Sequence, residues 1–163
     1  MIDDQEFANS FVRSRIKTTT KGPGLVKQEL QIKGVSSTVA DKAIVQYDYG
    51  TQYKKAKKIA EKHLRKKSHN SINRQQQQLQ ATLVRNGFFQ DVIQEVLAET
   101  QQEYQDDEIE AVYYQGRKLL RKHQGRLSGY ELKNKLKESL YRQGFNMESI
   151  NEYLNEIHNH QNS

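Results

Sequence analysis

Histidines and paired carboxylates are the residues in this chain whose chemistry could exceed packing. His158 and His160 form an H-x-H pair, and imidazole is a good metal ligand. On a helix, however, the two side chains point about 200° apart, and the pair stands at the frayed end of the chain, so no metal is expected. His63 and His123 fall at the edges of apolar helical stripes and read as packing histidines. The pairs Asp3-Asp4 and Asp106-Asp107 precede helix-forming segments, where a carboxylate caps orphan N–H groups and meets the positive end of the helix dipole. Cysteine is absent, which removes disulfides, thiolate chemistry and Cys-based zinc sites. No phosphate-cradling glycine loop, nucleophile elbow or zinc spacing occurs. The expectation is a noncatalytic protein with no cofactor and no metal.

Charge is the stronger signal. The formal net charge is +6, and the excess is local. Residues 1–50 carry 7 Lys and Arg against 6 Asp and Glu, residues 51–105 carry 10 against 5, and residues 106–163 carry 9 against 9. The run YKKAKKIAEKHLRKK places Lys54, Lys55, Lys57, Lys58, Lys62, Arg65, Lys66 and Lys67 around Glu61. Like charges at helical spacing repel by tenths of a kcal/mol per pair, and an acidic partner relieves that repulsion. Arg117, Lys118, Arg121, Lys122 and Arg126 repeat the theme further on. These two sets are the candidate contacts to phosphates or to acidic protein, with binding expected to weaken steeply with salt. The bland reading is a solvated face. Tyr47, Tyr49, Tyr113, Tyr114, Tyr130 and Tyr141 could stack on bases, and packing against a neighbouring helix is the competing use of each.

The elements that position these residues follow from three glycines. LQIKGV, LVRNGF and LYRQGF share a spacing that ends at Gly34, Gly87 and Gly144, separated by 53 and 57 residues. Apolar residues stand eight and four positions before each glycine and six and ten after it: Val26 and Leu30, then Ala40 and Ile44, in the first case. Steps of four mark helical stripes. A left-handed glycine at C′ then places Leu30, Leu83 and Leu140 at C3 and Val35, Phe88 and Phe145 at C″, the contact pair of a Schellman cap. Upstream of each stop lies a further stripe, such as Ala56, Ile59, Ala60 and Leu64. Asp3 with Glu6 and Ser128 with Glu131 have capping-box spacing, and Pro23 suits a first helical turn.

The expected fold is therefore all-α: three tandem three-helix units at 1–50, 51–105 and 106–163, stacked into an elongated, curved array. Units of this size bury too little surface to stand alone. A single compact helical bundle is the alternative. Only 34% of residues are hydrophobic and mean hydropathy is -0.98, so the apolar stripes are narrow. No apolar run approaches the roughly 18 residues of a membrane span, and the opening residues lack a signal-peptide pattern. A cytoplasmic, membrane-free monomer is expected.

The first unit carries more than periodicity. Asp3 and Asp4, Phe7-Ala8, Phe11-Val12-Arg13 with Arg15, Gly22-Pro23 and the Leu30-x-x-Lys33-Gly34 stop together resemble the RecX family, bacterial modulators of the RecA recombinase. The likeness is strong over residues 1 to about 45; beyond them it consists of glycine stops and apolar spacing. The resemblance implies tandem three-helix units, further sequence upstream of Met1, and no catalytic residues. It also implies a partner, the RecA nucleoprotein filament, whose ATPase, strand-exchange and SOS co-protease activities such a protein restrains, with direct contact to single- or double-stranded DNA left open. A stand-alone nucleic-acid-binding helical module and a scaffold for another acidic protein are the competing readings.

Overall fold

The computed structural model describes residues 3–66, 68–103 and 105–161, with the side chains of 105, 106 and 159–161 outside the description. Among the described residues all regular structure is helical: α1 (Asp4–Thr18), α2 (Pro23–Ile32), α3 (Ser37–Ile44), α4 (Tyr49–Arg65), α5 (Ile72–Arg85), α6 (Gln90–Glu103), α7 (Gln105–His123), α8 (Gly129–Arg142) and α9 (Met147–Gln161). Taken in threes, each triplet has its own apolar cluster.

The glycine stops set this organisation. Gly34, Gly87 and Gly144 have φ of 92°, 85° and 95°, a left-handed backbone that glycine adopts without steric cost. In each case the C″ amide bonds back to the C3 carbonyl: Val35 to Leu30 at 3.0 Å, Phe88 to Leu83 at 3.2 Å and Phe145 to Leu140 at 3.3 Å. The glycine amide bonds to the C2 carbonyl at Gln31, Val84 and Tyr141. This is the Schellman pattern, and it buries the paired side chains: Leu30, Leu83 and Leu140 are inaccessible, with Val35, Phe88 and Phe145 nearly so. Truncating any of these leucines to alanine would cost about 2–5 kcal/mol.

Around the stops, Ala8, Val12, Val26, Ala40, Ala43 and Tyr47 complete the first cluster. Ala56, Ala60, Leu79, Val92, Ile93 and Val96 complete the second. Val112, Leu132, Leu136, Ile150, Tyr153 and Leu154 belong to the third. The small residues on α4 and α7 let helices approach closely; at Gly116 any β-carbon would overlap the Tyr153 ring. Asp3 caps α1, accepting the amides of Gln5 and Glu6 at 3.0 and 3.2 Å. Ser128 has the extended backbone of an N-cap but makes no side-chain cap bond, contrary to its capping-box spacing. Gly129 after it is left-handed, at φ 57°, so the first turn of α8 is entered along a different path from an ordinary cap.

By proximity the described residues form two compact units, one drawn from residues up to 65 with 78–100 and the other from 66–77 with 101 onward. The start of α5 thus belongs with the second unit and its remainder with the first.

Within the first unit, the start of α2 is seated on the end of α5. The Gly22 amide donates to the Asn86 carbonyl at 2.5 Å and the Gly24 amide to the Gly87 carbonyl at 2.8 Å. Within the second unit, the start of α5 is seated on the end of α8. The Ser71 hydroxyl donates to the Gln143 carbonyl and the Asn73 side-chain amide to the Gly144 carbonyl, both at 2.8 Å. In both joints, the N-cap and N2 residues of one triplet's middle helix meet the C-cap and C′ carbonyls of the next triplet's middle helix. Those carbonyls are among the acceptors a helix end leaves unpaired.

Candidate functional site

The basic run falls on α4, where the backbone periodicity sorts it into two groups. Ala56 and Ala60 face the core. At 100° per residue, Lys54, Lys58, Lys62 and Arg65 then share a sector of about 80°, and all four are exposed. Lys66 follows the helix, also exposed, and Lys67 lies outside the described residues.

Lys55 and Lys57 are engaged inside the first unit. Lys55 is half-buried and donates to the Thr19 carbonyl at 2.5 Å; burial, with the neighbouring Lys58 charge second, pulls its pKa below the usual lysine value. Its ammonium thereby ties α4 to the turn after α1. Lys57 reaches the Tyr53 hydroxyl at 3.5 Å and sits 5.6 Å above that ring. The same hydroxyl donates to Glu99 at 2.5 Å, so the Lys57 charge is already answered by a carboxylate on α6. The Tyr53 hydrogen bond is the main cause of the raised Lys57 pKa.

On α7, Arg117, Lys118, Arg121 and Lys122 are exposed and span a sector of about 140°, opposite Val112 and the close-packed Gly116. Lys118 lies 5.5 Å from the Tyr114 ring, a cation–π spacing. Arg126 is exposed beyond the helix end. Each helix therefore presents an open cationic strip fixed by a well-packed opposite face, suited to rows of phosphate or carboxylate oxygens.

The tyrosines divide as well. Tyr47 is buried and donates to the Lys21 carbonyl at 2.7 Å, with burial raising its pKa. Tyr113 donates to Glu156, and Tyr114 stacks on His69 at 3.6 Å between centroids. These three are structural. Tyr130 and Tyr141 are 78% and 64% exposed, and Tyr49 is partly exposed and stacked near Tyr53.

The described residues contain no group of three or more His, Asp or Glu placed to hold a metal ion. Asp3 is a cap, as its position implied; the side chains of Asp106 and His160 lie outside the described residues.

Two buried polar groups went unrecognised in the sequence. Gln52 precedes the Ala56 stripe as Glu108 precedes Val112, one helical turn before in each case. The Gln52 side-chain oxygen accepts the Phe89 amide at 3.4 Å. Glu108 accepts the amides of Ile72 and Asn146, and burial, opposed by those bonds, raises its pKa. Phe89 and Asn146 each stand two residues after a glycine stop. Pro23 occupies in the first joint the place Ile72 has in the second and offers no N–H, so neutral glutamine suffices where glutamate serves two amides.

Sequence models for RecX match twice, the second three-helix domain at residues 3–44 and the third at residues 106–154. Curated relatives named "Regulatory protein RecX" include those of Oceanobacillus iheyensis, 40% identical over 95% of this chain and 57% of the relative, and Halalkalibacterium halodurans, 36% identical over 96% and 59%. The chain thus spans less than two thirds of the length of these relatives. The crystal structure of RecX from Lactobacillus salivarius superposes with a TM-score of 0.58 at 32% identity, over 61% of this chain and 64% of that one. No described helix is long and apolar enough to cross a membrane.

Proposed function

This chain belongs to the RecX family, and from that premise we propose that it is a noncatalytic cytoplasmic regulator that binds RecA filaments on DNA. Binding restrains ATP hydrolysis, strand exchange and co-protease activity in the SOS response. The observation that carries this reading is the exposed strip of Lys54, Lys58, Lys62 and Arg65 on α4. A filament of protein wound on DNA offers it both phosphate and acidic side chains, and electrostatic attraction of this kind sets association rate and orientation. Arg117, Lys118, Arg121 and Lys122 supply a second set of contacts.

The test is RecA ATPase on single-stranded DNA with and without the chain. Inhibition near stoichiometric amounts is expected, together with its loss when Lys54, Lys58, Lys62 and Arg65 are all replaced by glutamate and helicity is unchanged. Undiminished hydrolysis with the native chain would remove the proposal. Salt-sensitive DNA binding with no effect on RecA would favour a stand-alone nucleic-acid-binding module, to which the exposed Tyr130 and Tyr141 would also contribute.

A further inference from the structure

The two triplets that carry basic strips also carry acidic ones, on their third helices. On α6, Val92, Ile93, Val96 and Thr100 are buried, while Asp91, Glu95 and Glu99 stand four residues apart on an outer flank and are all exposed. On α9, Glu148, Glu152 and Glu156 repeat that row 57 residues later, the interval between the two glycine stops, and are exposed as well. A step of four residues sets the carboxylates about 6 Å apart along the helix, the same pitch as Lys54, Lys58 and Lys62 on α4. The first triplet is different. In register with its own stop it has Thr38, Lys42 and Gln46 at the acidic positions, and Glu6, Ser10 and Ser14 where α4 has Lys54, Lys58 and Lys62. Basic strip and acidic row are thus present together or absent together.

Within a triplet the two rows are neighbours. The Tyr53 hydroxyl on α4 donates to Glu99 on α6 at 2.5 Å, and Lys57, which reaches the same hydroxyl, stands between the α4 strip and the acidic row. In the third triplet Tyr113 on α7 donates to Glu156 on α9. One tyrosine per triplet therefore ties a cationic helix face to an anionic one. Packed helices lie about 8–10 Å apart, and the Debye length at physiological salt is about 8 Å, so a partner that meets one row feels the other. Phosphates drawn to α4 are repelled by α6, and like charges brought together at an interface cost affinity. A protein face that sets carboxylates beside lysines or arginines gains from both rows. Exposed ion pairs are worth only about 0.2–1 kcal/mol each, so the acidic rows select the partner and its orientation more than they tighten binding.

We propose that the acidic rows belong to the contact surface, and that the second and third triplets each dock on a protein face of mixed charge, with carboxylates opposite the basic helix and lysines or arginines opposite α6 or α9. The inference rests on the reading that the chain acts on RecA filaments and names the part of the filament it grips, the protein subunits rather than the DNA they coat. Docking has one polarity, because turning a triplet end for side would set its acidic row against the partner's carboxylates. Bare nucleic acid offers no cation to Asp91, Glu95 and Glu99 and meets the α4 strip only against their repulsion.

The test exploits the opposite signs expected for the two kinds of partner. Glu95→Lys with Glu152→Lys reverses the middle of each row and leaves the tyrosine-bonded Glu99 and Glu156 in place. Glu6→Lys with Glu131→Lys adds the same charge at exposed positions off both rows and serves as the control. Each chain is measured for affinity to a labelled bare single-stranded oligonucleotide and for the concentration that half-inhibits RecA ATPase on the same strand. The row variant should bind the bare strand several-fold more tightly and yet require several-fold more protein to inhibit RecA, while the control binds the bare strand more tightly with its inhibition intact. Glu95→Gln with Glu152→Gln, a milder change that keeps the helices, should move both readouts in the same directions by less. Inhibition by the row variants equal to or stronger than that of the native chain would overturn the inference, and a rise in bare-strand affinity in step with it would assign the strips to nucleic acid. Loss of inhibition in the control as well would overturn it too, since net charge alone would then be the cause. A native chain without effect on RecA removes the proposed function and this partner with it, a failure read on the native chain and so distinct from one read on the variants.

Discussion

The Gly24 amide donates to the Gly87 carbonyl at 2.8 Å, backbone against backbone, across 63 residues of sequence. A β-carbon on Gly87 would collide with the Leu25 amide nitrogen, and one on Gly24 would approach the Gly87 carbonyl oxygen to 3.0 Å. Gly87 thus has two constraints, a left-handed φ and a backbone neighbour that cannot withdraw, whereas Gly34 has only the first.

Replacing each stop glycine by alanine separates the two constraints. Gly34→Ala should cost about 1–2 kcal/mol, the left-handed penalty alone. Gly87→Ala should cost that plus about 1–3 kcal/mol for overpacking, and Gly144→Ala should fall between them because its nearest neighbour is the Ser71 hydroxyl, which can rotate. Urea denaturation of the three variants provides the ranking; equal losses would mean that the joint around Gly87 yields freely.

That ordering also shows what was legible in the sequence. The helix stops could be read because a Schellman cap is local: glycine, a leucine four residues before and an apolar residue one after suffice to specify it. The seating of Gly22-Pro23-Gly24 on Asn86-Gly87 could not, because it joins distant segments through backbone atoms that every residue possesses. The glycines flanking Pro23 were its only trace. In the basic run, helical periodicity identifies the core-facing alanines and so the outward strip of Lys54, Lys58, Lys62 and Arg65. It gives no sign that Lys55 reaches the Thr19 carbonyl, since that depends on where the turn after α1 lies. Gln52 and Glu108 were obscured for the same reason: a polar residue at the edge of an apolar stripe looks solvated until a neighbouring segment covers it.

Glu108 should make stability depend on pH. Burial raises its folded pKa despite the amides of Ile72 and Asn146 and the Asn146 side chain that donates at 2.5 Å. A carboxyl group with a raised folded pKa contributes stability that is fully present below its unfolded value, about 4.3, and lost as pH rises through the folded value. Glu108→Gln, which copies the group found at Gln52, lacks that titration. The unfolding free energy of the variant minus that of the native chain should therefore increase as pH is raised from about 4 toward neutrality, then level off. Denaturant titrations at several pH values measure it; a difference independent of pH, or one that falls, would contradict the assignment.

The Tyr153 hydroxyl is buried with no hydrogen-bond partner among the described residues, its ring packed edge-on to Tyr113 at 5.0 Å and against Gly116. Burying an unsatisfied hydroxyl costs about 1–3 kcal/mol, and removing it leaves the ring contacts in place. Tyr153→Phe should be neutral or stabilising by up to about 1 kcal/mol, while Gly116→Ala, which intrudes on the same ring, should destabilise by about 1–3 kcal/mol or more. Thermal unfolding of the pair decides it, and a marked loss in Tyr153→Phe would reveal a partner for that hydroxyl.

Salt dependence distinguishes the lysines that serve a partner from those that serve the fold. If the α4 strip meets phosphates, each of Lys54, Lys58, Lys62 and Arg65 releases counterions on binding, and replacement of any one by glutamine should flatten the plot of log affinity against log salt by roughly 0.7–0.9. Lys55→Gln should leave that slope unchanged while lowering stability, because its ammonium is spent on the Thr19 carbonyl. Lys57→Gln should also leave it nearly unchanged, since its charge already faces the Tyr53–Glu99 pair. Fluorescence anisotropy with a labelled single-stranded oligonucleotide, bare and coated with RecA, gives both slopes for each variant. A strip that contacts acidic protein alone would show the effect only on the coated strand, whereas equal flattening by Lys54→Gln and Lys55→Gln would mean that helical register does not decide which cations reach the partner.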